Sequence, residues 1–129
     1  MKGEETINTV MFVSSRKPDK ILEEELGRRG LKSEWAGSIS AATHLLKSMS
    51  ERTGVVTDLA LPDGNWRDLV EHVRDVSGSI PIVLLTPAST AELWWDALDC
   101  DVKDIQSTPL TASHLCEALG AIGGTCDNA

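Results

Sequence analysis

No apolar run in this sequence approaches the ~18 residues that a membrane-spanning helix needs. Basic residues are also scarce: 12 Lys and Arg stand against 20 Asp and Glu, a formal net charge of -8. Basic residues gather only in short groups such as Arg28, Arg29 and Lys32. A surface this acidic repels a phosphate backbone, which argues against direct nucleic-acid binding. The opening Met1-Lys2-Gly3-Glu4-Glu5 is too acidic and polar for a signal peptide, so a cytoplasmic location is expected. Cysteine is sparse and odd in number: Cys100, Cys116 and Cys126 form no C-x-x-C pair. That spacing argues against a zinc site and a disulfide framework, and suits thiols in a reducing cytosol. The three histidines, His44, His72 and His114, lie far apart in helical patterns and are assigned no catalysis. Finally, Ser14-Ser15-Arg16-Lys17-Pro18 follows the first apolar run without a glycine. A small enzyme or nucleotide binder built on a Gly-rich phosphate loop is thereby disfavoured.

What is present is a repeated alternation of short apolar runs and amphipathic stretches. At 129 residues the chain suits one domain with a sizeable core. Thr9–Val13 reads as a first strand. Pro18 opens a helix with Ile21, Leu22 and Leu26 on one face, and Gly30 ends it. Lys32–Ala36 is a short second strand. Ser38 or Ser40 caps a second helix carrying Ala42, Leu45, Leu46 and Met49. Gly54–Asp58 is the third strand. Asn65 caps a third helix in a box with Asp68, and Leu69, Val73 and Val76 make its stripe. Ile80–Thr86 is nearly all apolar, as a central parallel strand should be. Ser89 or Thr90 opens a fourth helix. Val102–Ser107 is an edge strand, and Thr111 caps a fifth helix with Leu115, Leu119 and Ile122 inward. Five βα units imply an α/β fold, a (βα)5 three-layer sandwich with a parallel sheet in the order 2-1-3-4-5. Residues 1–8 read as an N-terminal extension, 9–122 as the domain and 123–129 as a flexible tail.

In such sheets ligands bind beyond the carboxyl ends of the strands, at the switch in strand order. That crevice holds Ser14 and Ser15 after the first strand and Asp58 at the end of the third. Arg16 and Lys17 follow the serines and are candidate charge partners of Asp58.

Three segments, in register, resemble the receiver domain of two-component response regulators, with a flavodoxin-like fold. The first is Val55-Val56-Thr57-Asp58-Leu59-Ala60-Leu61-Pro62-Asp63-Gly64, where the resemblance implies Asp58 as the phosphoacceptor position. The second is Ile80-Pro81-Ile82-Val83-Leu84-Leu85-Thr86, which implies Thr86 as the switch hydroxyl. The third is Asp104-Ile105-Gln106-Ser107-Thr108-Pro109-Leu110, with Ile105 at the other switch position and a cis Thr108-Pro109 bond. The departures are specific. Ser14 and Ser15 occupy the acidic-pair positions, Thr108 replaces the lysine, and Ile105 replaces an aromatic.

In the family the acceptor carboxylate works with Mg²⁺ held by acids, and a backbone carbonyl that would here be that of Ala60. Even a net ~1.4 kcal/mol per missing charge is tenfold in affinity. The expectation is therefore weak or absent Mg²⁺ binding, no metal, no other cofactor and no enzymatic activity. Asp63, a possible substitute acid, reads as a turn residue beside Gly64. The reading is an atypical receiver, a pseudo-receiver, that acts in signal transduction through protein–protein contacts without Mg²⁺-dependent phosphorylation. The alternative is a receiver still phosphorylated at Asp58 by a histidine kinase. The resemblance also implies that the face of helix four, strand five and helix five meets a signalling protein or output domain, or a second copy in a homodimer. Trp94 and Ile105 are expected on that face. Trp95 and Leu98, three apart, are expected to face the core. Trp35 and Trp66 are expected to cover the core rim.

Overall fold

The computed structural model of the chain describes residues 8–48, 53–77, 80–88, 90–107 and 111–119. In chain order the elements are β1 (Thr9–Val13), α1 (Lys20–Arg28), β2 (Lys32–Ala36), α2 (Ile39–Leu46), β3 (Thr53–Asp58), β4 (Ala60–Leu61), β5 (Gly64–Asn65), α3 (Trp66–Ser77), β6 (Ile82–Thr86), α4 (Ala91–Asp99), β7 (Asp104–Ser107) and α5 (Ala112–Leu119). The five longer strands form one parallel sheet in the order β2-β1-β3-β6-β7, the order expected of the βα units. β4 and β5 pair antiparallel as a two-residue hairpin that the sequence pattern did not reveal. No helix among the described residues is long and apolar enough to cross a membrane.

Successive side chains of a strand point to opposite faces, and here both faces are covered. Met11, Val13, Val55, Ile82 and Leu84 join one core with residues of α2, α3 and α4. Val10, Phe12, Val56 and Val83 join a second core with Leu22 and Leu26 of α1 and Ala112 and Leu115 of α5. Three helices therefore cover one face and two the other. Each central strand serves both cores at once.

Helix ends follow local chemistry. Asp19 accepts from the Leu22 N–H and is the N-cap of α1, so Pro18 lies before the helix and not in its first turn. Leu22 and Leu26, four apart, take the inward stripe. Ile21, a hundred degrees away, is 71% exposed, against the expectation that it faces the core. Gly30, at φ 83°, ends the helix in the left-handed region, where glycine carries no steric penalty. Thr90 caps α4, and Asp101 closes it at φ 63°, with the Asp101 N–H on the Leu98 carbonyl and the Val102 N–H on the Ala97 carbonyl. This closure keeps Val102 out of β7, which begins at Asp104. β6 begins at Ile82, after Pro81, which has no N–H to donate but accepts from the Val55 N–H.

α2 has two caps. Ser38 accepts from the Ala41 N–H, while the Asp63 carboxylate accepts from the Ile39 and Ser40 N–H groups at 2.9 and 3.0 Å. Asp63 is thus more than a turn residue: it ties the loop after β3 to α2. These bonds hold its pKa below its ordinary value of 3.8. Gly64 beside it is required, because a Cβ there would lie 2.6 Å from Asp68 Oδ2 and 2.7 Å from Ile39 Cδ1. At α3, Asn65 accepts from the Arg67 and Asp68 N–H groups, and Asp68 accepts in return from the Asn65 N–H. This is the box read from the sequence.

α4 corrects the sequence reading. Its inward side is Ala97, with half-buried Leu93 and Cys100 packed on the same core. Trp95 is 70% exposed and Leu98 63%, so neither is the core residue expected; Trp94 is 41% exposed. Ile105 is buried in the core and does not join Trp94 on a surface. Trp66 is buried under the guanidinium of Arg67, 5.1 Å from the ring centroid. Met49, Ser89, Thr108, Pro109, Ile122, the tail 123–129 and the extension apart from Asn8 lie outside the described residues.

Leu84→Ala, at a fully buried position in a central strand, is expected to lower unfolding stability by about 2–5 kcal/mol, read as a lower urea midpoint. Asp63→Asn is expected to destabilise the protein at neutral pH. Because the folded-state pKa lies below 3.8, the Asp63 contribution is present above that pH and fades as pH falls through the folded value. The stability gap between the wild type and Asp63→Asn should therefore close in acid, as followed by denaturant titration across pH.

Candidate functional site

Asp58 ends β3 opposite Leu85 of β6, and Val13, the last residue of β1, pairs with Thr57. The chain leaving β1 therefore passes directly beside the Asp58 carboxylate. Ser14 is the first residue of that segment, held to the sheet by its N–H on the Ala36 carbonyl at 2.9 Å. Its hydroxyl donates to Asp58 Oδ2 at 2.6 Å and accepts from the Arg16 N–H at 3.1 Å. The turn this makes brings the Arg16 side chain back over the strand end, where Nη2 lies 2.9 Å from Asp58 Oδ1.

Both oxygens of the carboxylate are thus engaged, one by a guanidinium and one by a hydroxyl. The Asp58 side chain is 16% exposed, while that of Arg16 is 60% exposed. A largely hydrated arginine contributes little net stability, within about 1 kcal/mol. The geometry matters more than the energy, since a charge-assisted donor occupies the outward side of the acid. Of the two cations named from the sequence, Arg16 meets Asp58 and Lys17 does not. Lys17 is exposed, lines the same cleft and has no ion-pair partner among the described residues. Ser15 is exposed and makes no hydrogen bond to Asp58.

Thr86 ends β6 and is buried. Its hydroxyl donates to the Ala88 carbonyl at 3.0 Å and accepts from the Ala88 N–H at 3.3 Å, closing a small ring with the loop that follows. Ile105 fills the core below β7. Thr108 lies outside the described residues. The other acids near this edge are committed elsewhere: Asp19 caps α1 and Asp63 caps α2.

A cleft of about 420 Å³ opens from Asp58 toward β2. Trp35 forms part of its wall and stacks on Phe12, with centroids 4.4 Å apart and planes 16° from parallel. From the sequence, Trp35 is expected only to cover the core rim. The available signal was its place on β2 near the strand's C-terminal end, the edge where ligand crevices form.

No protein-family model matches the chain. The photosynthetic apparatus regulatory protein RegA of Rhodobacter capsulatus is 29% identical over 102 residues, which cover 79% of this chain and 55% of RegA. The response regulator protein PilR of Pseudomonas aeruginosa is 27% identical over 100 residues, covering 78% of this chain and 22% of PilR. The chain thus spans about half of one curated relative and less than a quarter of the other. Among solved structures, the non-phosphorylated HemR receiver domain from Leptospira biflexa matches with a TM-score of 0.72 at 25% identity, covering 89% of this chain and 93% of that domain. Strand order, an acid at the end of the third sheet strand, and these similarities show the receiver fold in a chain that is similar in sequence to response regulators over most of its length.

Proposed function

We propose that this receiver works as a protein–protein contact module in signal transduction, without Mg²⁺-dependent phosphorylation of Asp58 and without catalysis of its own. The observation that carries the reading is the double engagement of Asp58 by Arg16 and Ser14. Phosphoryl transfer to a carboxylate needs a free oxygen and a dication to neutralise the incoming charge. The donor set fits Mg²⁺ poorly. Among the described residues no group of three or more His, Cys, Asp or Glu is arranged to hold a metal. Asp58 faces a guanidinium on one oxygen and the neutral Ser14 hydroxyl on the other, where a dication would need charged ligands. Arg16 supplies part of the neutralisation that a metal would otherwise supply, in a fixed rather than a regulated form.

The partner surface proposed is the outward face of α4. Trp94, Trp95 and Leu98 are exposed there together, beside Glu92 and Asp99. Adjacent exposed rings of this size favour burial against a signalling protein, an output domain or a second copy. The second reading, a receiver phosphorylated at Asp58 by a histidine kinase, draws on the retained acid and the retained Thr86 hydroxyl.

Titration with Mg²⁺ and beryllofluoride, followed by amide shifts around Asp58, separates the two. The expected result is no saturable change in the wild type. A Mg²⁺-dependent response is expected when Ser14→Asp and Ser15→Asp are introduced together. A saturable wild-type response at millimolar Mg²⁺ would establish the phosphorylated reading instead. Trp95→Ala is expected to weaken any concentration-dependent self-association by about 2 kcal/mol or more, measured by sedimentation. Unchanged sedimentation of a self-associating protein would put that contact elsewhere.

A further inference from the structure

The outward side of α4 is divided into two strips. Successive helix residues turn by about 100°, and Leu93, Ala97 and Cys100 face the core. That places Trp94, Leu98 and Trp95 in one strip and Asp99, Glu92 and Asp96 in the next. The apolar strip is exposed along its length. Residues 87–102 include Glu92, Asp96, Asp99 and Asp101 but no lysine, arginine or histidine.

The neighbouring elements leave this side acidic. Arg67 and Arg74 of α3 reach Asp96 and Asp101, and Glu71 shares their side of α3 by helical spacing. Lys103 is exposed just before β7, and Asp104 opens that strand with its carboxylate on the Ile105 N–H and the Gln106 amide. Glu71, Glu92, Asp96, Asp99, Asp101 and Asp104 thus stand against Arg67, Arg74 and Lys103. Glu92 and Asp99 have no ion-pair partner among the described residues. Asp99 also stands in the last turn of α4, where the helix dipole is already negative and no basic residue is present. A carboxylate at that point is unfavourable for the helix. A cation supplied from outside meets both the carboxylate and the negative helix end.

We propose that the partner of this face is a cationic amphipathic helix of another protein. Its apolar stripe lies on Trp94, Trp95 and Leu98, and its Lys or Arg residues meet Glu92 and Asp99. The proposal rests on α4 being the contact surface named above, and adds the chemistry of what covers it. A second copy is a poorer occupant, because a two-fold pairing brings two such acidic faces together.

The probe is a synthetic Leu/Lys peptide of about 14 residues with its leucines on one helical stripe, long enough to turn helical on contact. One comparison peptide carries Glu for every Lys, and another has the same Leu/Lys composition in an order without a stripe. The chain has four tryptophans, so four indole N–H resonances report where a peptide lies. They are assigned by Trp35→Phe, Trp94→Phe and Trp95→Phe. The expected result is a saturable shift of Trp94 and Trp95 with the striped Lys peptide, Trp35 and Trp66 unmoved, and binding of both comparison peptides weaker by about tenfold or more. Asp99→Lys should weaken the striped Lys peptide by about fivefold, the upper range for an exposed ion pair. The same variant should raise the urea midpoint, since it puts a cation at the negative end of the helix. The proposal is overturned if the Glu peptide shifts Trp94 and Trp95 equally, or if Asp99→Lys leaves the affinity for the Lys peptide unchanged; α4 then remains a contact surface for a partner of other chemistry. It is overturned in favour of a second copy if the wild type sediments as a dimer that Trp95→Ala dissociates. If no peptide moves either ring and the protein is monomeric, the proposal and the α4 contact surface fall together.

Discussion

A parallel strand covered on both faces has no solvent side, and this constraint organises the molecule. Val10 and Phe12 of β1 serve one core while Met11 and Val13 serve the other. Helices must then lie on both faces, and the parallel direction of the strands places every strand's carboxyl end along one edge. Only that edge is free to carry polar side chains at the ends of buried strands. Ser14, Asp58 and Thr86 all lie there, at or just beyond the ends of β1, β3 and β6. The site is a consequence of how the sheet is buried.

A half-buried carboxylate at that edge needs donors. In this chain the segment leaving β1 supplies them from two side chains two residues apart. Ser14, fixed to the sheet by its own N–H, holds one oxygen and turns the chain. Arg16 then reaches back to the other. The acids that flank the edge serve local structure: Asp19 begins α1 and Asp63 anchors the loop after β3 to α2. These three carboxylates each have a fixed structural partner, which supports the proposed phosphorylation-independent role.

α4 shows where periodicity is insufficient. Leu93, Trp94, Trp95, Ala97 and Leu98 offer more than one apolar stripe. The large side chains suggest that Trp95 and Leu98 face inward. The fold instead packs Leu93, Ala97 and Cys100 against the core. The small Ala97 lets the helix lie against the sheet, whereas an indole at that point would hold it away. Hydrophobicity alone therefore named the wrong face, and the displaced Trp95 and Leu98 form the outward patch with Trp94.

The sequence by itself determined the alternation of elements, the strand order, the two caps that open α3, and the position of Asp58 at the edge of the sheet. Those features follow from local patterns of period two and 3.6, turn residues and the handedness of crossovers. It also named Arg16 and Lys17 as possible partners of Asp58, without choosing between them. Tertiary structure made that choice, because the turn at Ser14 aims Arg16 inward and leaves Lys17 at the mouth. It also gave Asp63 to α2, twenty-three residues away, and put Trp35 on a cleft wall against Phe12. Contacts between residues so far apart depend on how the helices and strands come together, and no local pattern in the chain encodes that distance.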